Sequence, residues 1–277
     1  MWFDVLLHAR SLTSRDLADV RFFGVSGALV PSDDAVGPAG AAAVRRGWTE
    51  TAGAARRLRR GGVAGYAALG IHPRRIPARG LEALLAELPG ALGRPEVAAL
   101  GAIGLSAGGA LEERVFLRQL ELARDLRLPV VVTAPQREPL ARRTLALLKE
   151  AALEPGQVLV AGAGERSVRA IRACGHLAGL ALSSGTDGGG GGDPLERAVK
   201  IVRALGPEGL VLGSDAGVAG GDLLAVPRAA DRLARGGLSE AVIRRVCGAN
   251  AIAFLRVDPA SLSARGATGR SGRRASR

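Results

Sequence analysis

The stretch Glu112–Thr133, EERVFLRQLELARDLRLPVVVT, decides the fold of this chain. Its first 15 residues, which end at Leu126, place apolar side chains such as Val115 and Leu120 on one broad face, with arginines elsewhere. The run Leu128–Thr133 is short and nearly all apolar, which is typical of a strand in a parallel sheet covered on both faces. An amphipathic helix followed directly by a buried strand predicts an α/β protein.

Apolar runs of this kind recur along the whole chain, each followed by a longer amphipathic stretch. The eight runs are Trp2–His8, Val25–Val30, Val63–Ile71, Val97–Leu105, Leu128–Thr133, Gln157–Ala161, Leu177–Leu182 and Gly209–Ser214. Eight strand–helix alternations in about 255 residues match the usual size of a (β/α)8, or TIM, barrel. A doubly wound open sheet is the alternative fold. We therefore expect an α/β TIM barrel as a single domain over residues 1–256.

Three helix starts have recognisable N-terminal signals. Thr13 precedes Ser14-Arg15-Asp16, Asp193-Pro194 places a proline in a first helical turn, and Ser239-Glu240 precedes an apolar helix. Two other segments have low complexity. Gly188–Gly192 is expected to be a solvated flexible loop, and residues 257–277, rich in Arg, Ser and Gly, are expected to form a disordered tail.

The chain is strongly basic, with 38 Lys and Arg against 26 Asp and Glu and a net charge of +12. Residues 256–277 hold six Arg and one Asp, so +5 of this charge lies outside the expected barrel or at its last residue. The remainder predicts only weak nucleic-acid association through the arginine surface and the tail. No apolar run approaches the ~20 residues of a membrane span, and the N-terminus lacks a signal peptide, so we expect a cytoplasmic protein.

The cysteine and histidine counts restrict the possible chemistry. Cys174 and Cys247 are too few for a disulfide framework or a thiolate zinc site. The three histidines are His8, His72 and His176, and His176 precedes the seventh strand, at the barrel bottom, where residues serve stability. The sequence also lacks a Gly-x-Ser-x-Gly nucleophile motif and a dinucleotide-binding glycine pattern.

The functional residues of such a barrel lie where the strands end. The informative strand ends are Asp4–His8, Gly70–Pro73, Gly101–Leu105 and Ser214–Gly217. With Gln119, Leu128-Pro129-Val130, Asn250 and Phe254, these motifs resemble, in order and spacing, the TatD-like branch of the metal-dependent amidohydrolase superfamily, TatD-related group. The resemblance covers roughly residues 2–256 and implies a TIM barrel and metal-dependent hydrolysis of phosphodiesters or similar substrates.

The same resemblance shows departures at the family's metal-ligand positions. The positions of the two first-strand histidines, the bridging glutamate, the strand-five and strand-six histidines and the strand-eight aspartate fall on Leu6, His8, Ala102, Thr133, near Gly162, and Asp215. Only His8 and Asp215 keep a coordinating side chain. A two-metal hydrolase needs a full set of imidazole and carboxylate ligands, and zinc sites usually use three or four protein ligands.

We therefore expect a TatD-family hydrolase-like protein with a degenerate dinuclear site, catalytically impaired and acting through ligand or partner binding at the barrel mouth. The alternative is an active metal-dependent, nuclease-like hydrolase of phosphoesters or phosphodiesters that uses one residual cation (Zn, Mn or Mg) at His8 and Asp215. The resemblance makes Asp215 the candidate catalytic residue and His72, Arg74 and Arg137 candidate substrate-binding residues. The expected ligand is a small or phosphate-containing molecule, because His72 with Arg74 and Arg75 could bind an anion.

Overall fold

The computed structural model describes residues 1–32, 40–183, 192–218 and 221–262. Its strands are β1 (Trp2–Asp4), β2 (Val25–Pro31), β3 (Ala64–Leu69), β4 (Val97–Ile103), β5 (Val130–Thr133), β6 (Val158–Ala161), β7 (Leu177–Ala181) and β8 (Leu210–Gly213). They form one parallel sheet in chain order from β1 to β8. This order excludes a doubly wound sheet, in which the order reverses at a switch point, and confirms the predicted (β/α)8 barrel.

Helices alternate with the strands. They are α1 (Ser14–Phe22), α2 (Ala41–Arg60), α3 (Leu81–Leu92), α4 (Ala110–Asp125), α5 (Glu138–Glu150), α6 (Glu165–Ala173), α7 (Pro194–Leu205), α8 (Ala225–Arg235), α9 (Glu240–Arg244) and α10 (Asn250–Leu255). A π-helical turn joins α9 to α10. Thr13, Asp193 and Ser239 cap their helices through their side chains, which confirms the three predicted starts. In the part of the chain that the structure describes, no helix has the length and apolarity needed to cross a bilayer.

The first strand is shorter than its apolar run. The run Trp2–His8 predicts seven residues, but β1 ends at Asp4. The chain beyond it stays tied to both neighbouring strands, because Leu7 N–H donates to Leu29 O at 3.1 Å and His8 N–H donates to Ala216 O at 2.8 Å. The apolar side chains of this run are therefore buried, although the last four residues lie outside the regular ladder.

The packed chain continues beyond the domain boundary expected after residue 256. Leu262 is 4% exposed and belongs to the buried cluster that contains Phe3 of β1 and Phe254 of α10. The hydroxyl groups of Ser261 and Tyr66 lie 3.2 Å apart, within hydrogen-bond distance. Residues 257–262 thus close the N-terminal end of the barrel. The rest of the predicted tail, and Gly188–Gly191 of the glycine run, lie outside the described residues.

A close contact between α2 and β3 gives a test of this packing. A Cβ at Gly65 would lie 2.2 Å from Ala55 O, whereas a Cβ at Gly47 of α2 would meet nothing within 4 Å. We predict that Gly65→Ala lowers the free energy of unfolding by about 1–3 kcal/mol. Gly47→Ala should raise it by about 0.5–1 kcal/mol, since alanine favours a helix interior. Urea denaturation followed by circular dichroism measures both, and a neutral Gly65→Ala would contradict the packing.

The new boundary gives a second test. A chain ending at residue 256 loses the buried Leu262 side chain, so its free energy of unfolding should fall by about 2–5 kcal/mol. A chain ending at residue 262 keeps that contact and should match the full chain within about 0.5 kcal/mol. Equal stability of the two truncated chains in urea would show that residues 257–262 do not support the barrel.

Candidate functional site

The barrel mouth is organised around the buried carboxylate of Asp4, at the end of β1. One oxygen, Oδ1, accepts the N–H groups of Leu6 and Ser214, each at 3.0 Å. Ser214 follows β8, so this carboxylate joins the ends of the first and last strands. Burial raises the pKa of Asp4, opposed by hydrogen bonds from Ser214 and Leu6 that lower it. Asp4 therefore has the structural hydrogen-bonding role that a buried carboxylate requires.

Asp215 and His8 lie beside this junction. Asp215 is 5% exposed and has a positive φ of 52°. Its Oδ1 lies 3.8 Å from Nε2 of His8, and its Oδ2 accepts a hydrogen bond from the Ser183 hydroxyl at 2.8 Å. The structure thus brings together the two predicted residual ligands and adds Ser183, which follows β7.

Gly217 allows the chain after Asp215 to lie close to the backbone of His8. A Cβ at Gly217 would lie 2.1 Å from the carbonyl oxygen of His8. The φ of Gly217 is 97°, a conformation that side chains other than glycine's rarely adopt. The Ser-Asp-Ala-Gly motif therefore packs directly against the segment that carries His8.

The turn after β3 is held by two side chains from neighbouring helices. The Trp48 indole N–H donates to Gly70 O at 2.8 Å. Gln119 of α4 accepts the Ile71 N–H at 2.7 Å and donates to Ile71 O at 3.2 Å. His72 follows, 4% exposed, and its Nδ1 accepts the Arg74 N–H at 3.2 Å. This turn places His72 rigidly at the mouth, with Nδ1 used by the backbone.

A cavity of about 200 Å³, the β3 cavity, lies between this turn and α2. Its lining includes His72 and Arg75 from the turn, Arg46 from α2, Arg10 from the segment after β1, and Ser32. Glu50 is the one acidic residue among the described lining residues. The other two predicted binding residues, Arg74 and Arg137, do not line this cavity. Both are exposed, and Arg137 directly precedes α5.

The remaining candidate ligand positions carry side chains of a different character. Leu6 packs against Gly213, where a Cβ would come within 2.7 Å of the Leu6 Cβ. Ala102 is 8% exposed, Thr133 is half-buried, and Gly162 has a φ of 79°. Within residues 1–32, 40–183, 192–218 and 221–262, no three His, Cys, Asp or Glu side chains are close enough together to hold a metal ion.

Sequence reasoning did not identify several residues that shape the mouth. The Ser32 hydroxyl donates to Gly101 O at 2.6 Å and links the ends of β2 and β4, and Trp48 holds Gly70. Neither residue belongs to a sequence motif that could have indicated its partner. The separation of each pair along the chain, 69 residues for Ser32 and Gly101, leaves no local signal.

The fold has clear structural neighbours. A TatD-like protein from Archaeoglobus fulgidus superposes with a TM-score of 0.75 at 23% identity, covering 92% of this chain and 100% of that one. A TatD homologue from Escherichia coli K12 gives 0.66 at 20% identity, covering 93% and 98%. The phosphotriesterase homology protein from Escherichia coli, whose structure holds phosphate in its active site, gives 0.66 at 16%, covering 91% and 97%. A comparison with curated proteins gives no match.

The barrel and these neighbours define the class as a TIM-barrel fold. The model of the family of TatD-related DNases matches residues 15–180, more than half of the chain. The chain belongs to the TatD-related DNase family.

The raised pKa of Asp4 predicts a pH dependence of stability. The folded state binds a proton on Asp4 at a pH where the unfolded chain has released it, so this group adds stability as the pH falls through the raised pKa. We compare wild type with Asp4→Asn, which cannot titrate. The free energy of unfolding of wild type minus that of Asp4→Asn should increase as the pH is lowered from 7 through that pKa. A difference that stays constant or decreases in urea titrations would contradict the raised pKa.

Proposed function

We propose that this protein is a TatD-family barrel whose dinuclear metal site is degenerate, and that it acts by binding a phosphate-containing ligand at the barrel mouth. Two-metal hydrolysis is impaired in this proposal. The observation that carries it is the donor set: of the six positions that correspond to family ligands, Leu6, Ala102, Thr133 and Gly162 offer no imidazole or carboxylate.

The geometry of the two surviving groups supports this proposal. His8 and Asp215 are adjacent, but in the described chain no third His, Cys, Asp or Glu joins them to form a metal-binding group. Two protein ligands are fewer than the three or four that zinc sites use. Asp215 also accepts a hydrogen bond from the Ser183 hydroxyl, which provides a partner for one of its buried oxygens.

The charge around the β3 cavity supports an anionic ligand. Three arginines, Arg10, Arg46 and Arg75, line it together with His72, against the single carboxylate of Glu50. Guanidinium groups bind phosphate oxygens in a bidentate manner, which makes converging arginines typical of phosphate recognition. The Nδ1 of His72 accepts from Arg74 N, so the imidazole orientation is fixed. In the proposed mode these side chains bind and orient the phosphate and no bond is broken.

A second candidate function is favoured by one contact. The 3.8 Å separation of His8 Nε2 and Asp215 Oδ1 keeps two potential ligands together at the mouth. A single divalent cation held there would allow phosphoester hydrolysis by a one-metal route. The donor set of the described residues favours the first proposal, and metal analysis separates the two.

We predict that wild-type protein dialysed against Zn²⁺ or Mn²⁺ and then against metal-free buffer retains substoichiometric metal. The triple variant Leu6→His, Ala102→Glu and Thr133→His restores three side chains of the types that the family pattern has there. It should retain about one metal ion per chain, because five candidate ligand side chains are then present and a zinc site uses three or four. Elemental analysis measures both. Stoichiometric metal in wild type that is lost in His8→Ala/Asp215→Ala would overturn the proposal and support the second candidate.

A hydrolysis assay completes this test. The first proposal expects no turnover of a generic phosphodiester by wild type with or without added metal. Turnover that a chelator removes and Asp215→Ala abolishes would establish the one-metal alternative. Calorimetric titration with inorganic phosphate should show binding that weakens in Arg75→Ala, and unchanged binding in that variant would count against the β3 cavity.

A further inference from the structure

A second and larger cavity lies on the outer side of the barrel, between α2 and the segment that follows His8. Its volume is about 600 Å³, within the range of small-molecule sites. Its lining includes four arginines, Arg10, Arg56, Arg57 and Arg60, and one carboxylate, Glu50. We name it the arginine cavity. No family ligand position and none of the predicted site residues lies in its lining.

The floor of the arginine cavity is made of small residues. Gly53 and Ala54 of α2 lie there, and a Cβ at Gly53 would meet only Nη2 of Arg56, at 3.8 Å. A glycine in a helix interior is unfavourable by roughly 0.5–1 kcal/mol relative to alanine. Neither a tight turn nor a close backbone contact requires glycine at this position. Its effect is to keep space open beside three arginines.

Two of the arginines are fixed in place by the protein. Arg56 forms an ion pair with Glu96, whose side chain is only 4% exposed. The Nη2 group of Arg57 donates to Ala9 O and, at 3.2 Å, to Arg10 O. Arg56 and Arg57 therefore lose little conformational freedom when a ligand binds, which favours affinity.

The arginine cavity holds positive charge that the described protein does not neutralise. Arg57 forms no ion pair with a described carboxylate, and its buried Nε–H has no acceptor there. Arg60 forms neither an ion pair nor a hydrogen bond within the described chain. Some arginines on other helices pair with a carboxylate four residues earlier, as Arg142 does with Glu138 and Arg244 with Glu240.

A favourable interaction with the helix dipole explains the arginines at the end of α2 but does not explain the cavity beside them. Basic residues in the last turn of a helix stabilise it by about 0.3–1 kcal/mol each, and Arg57 and Arg60 lie in the last turn of α2. That effect needs no cavity. Arg10, from the segment after β1, faces the same space and forms an ion pair with Glu50 of α2, so the charge of Arg10 is compensated there.

We propose that the arginine cavity is a binding site for a small ligand with two or more phosphate groups, next to the β3 cavity of the mouth, with which it shares Arg10 and Glu50. Converging guanidinium groups bind phosphate oxygens by charge-assisted bidentate hydrogen bonds. Two guanidinium charges without a carboxylate partner, from Arg57 and Arg60, match a ligand with at least two negative charges. This inference does not rest on the function proposed for the mouth.

The residues that line the arginine cavity favour a small oligophosphate over a nucleic-acid strand as its ligand. Proteins that bind single strands combine a basic groove with aromatic side chains on which bases stack. The described lining of the arginine cavity contains no aromatic residue. A concave site without a stacking platform fits the phosphate groups of a compact ligand better than a polymer.

Isothermal titration of the full chain with inorganic pyrophosphate and tripolyphosphate, at fixed ionic strength, tests the inference. We expect one site per chain in the arginine cavity, in addition to the phosphate site proposed at the mouth, and the effect of each variant on the arginine-cavity site is measured. Gly53→Glu places a carboxylate beside Arg56 and Arg57 at the spacing of stabilising helix pairs, so it should fold normally and weaken binding at least about tenfold. Gly53→Gln, of the same size but neutral, should weaken binding by less than about threefold. The two variants separate charge from space filling.

Two further variants locate the site. Arg166→Ala/Arg169→Ala removes two exposed charges from α6, outside the cavity, and should leave binding unchanged. Arg75→Ala should also leave it unchanged. The inference is overturned if pyrophosphate does not bind at millimolar concentration, or if Arg166→Ala/Arg169→Ala weakens binding as much as Gly53→Glu. Loss in Arg75→Ala but not in Gly53→Glu would assign the ligand to the mouth. Binding of a single-stranded oligonucleotide without binding of pyrophosphate would also overturn it.

Discussion

The carboxylate of Asp4 connects the first strand of the barrel to the last, and the geometry of the mouth depends on it. The first strand has only three residues, so its regular ladder contributes little to closing the barrel. The two N–H groups that Asp4 accepts belong to Leu6 and Ser214, which precede His8 and Asp215 along the chain. Their approach to 3.8 Å follows from this junction. Asp4 therefore has an architectural role at the mouth, because it accepts backbone N–H groups from both segments.

Much of the fold could be predicted because the signals are local. The eight apolar runs match the eight strands in order. Thr13, Asp193 and Ser239 mark helix starts because their side chains accept hydrogen bonds from N–H groups two or three residues later in the chain. Two boundaries were not predictable. Strand β1 ends early, and the Leu6 N–H donates to the Asp4 side chain instead of to a neighbouring strand. Leu262 is buried, but it is a single apolar residue in a polar stretch with no periodic pattern.

The candidate site was predictable only where a residue follows a strand. His8, Ser183 and Asp215 all do, and the structure brings them together. Ser32 and Trp48 act on backbone atoms far away in the sequence, and the arginine cavity depends on Arg10 meeting α2 across a helix–loop contact. Pairings of this kind are set by tertiary structure. A single sequence contains no local pattern that predicts these tertiary contacts.

The residues that hold the mouth in place differ from the residues that are proposed to bind a ligand there. Gln119 still holds the turn before His72, and Gly217 still packs on His8, so the frame that positions a TatD-type site is present. In the proposed function the frame presents arginines and a histidine to a phosphate group. Leu6 packs against Gly213 at one of the positions where the family pattern has a ligand.

The most direct test of this account is a crystal structure of the wild-type protein grown with excess Zn²⁺ or Mn²⁺ and measured at the metal absorption edge. The account predicts no anomalous peak between His8 and Asp215, with Asp215 still bonded to Ser183. A fully occupied peak about 2.0–2.2 Å from His8 Nε2 and an Asp215 oxygen would contradict it, since those are the distances of true zinc ligands.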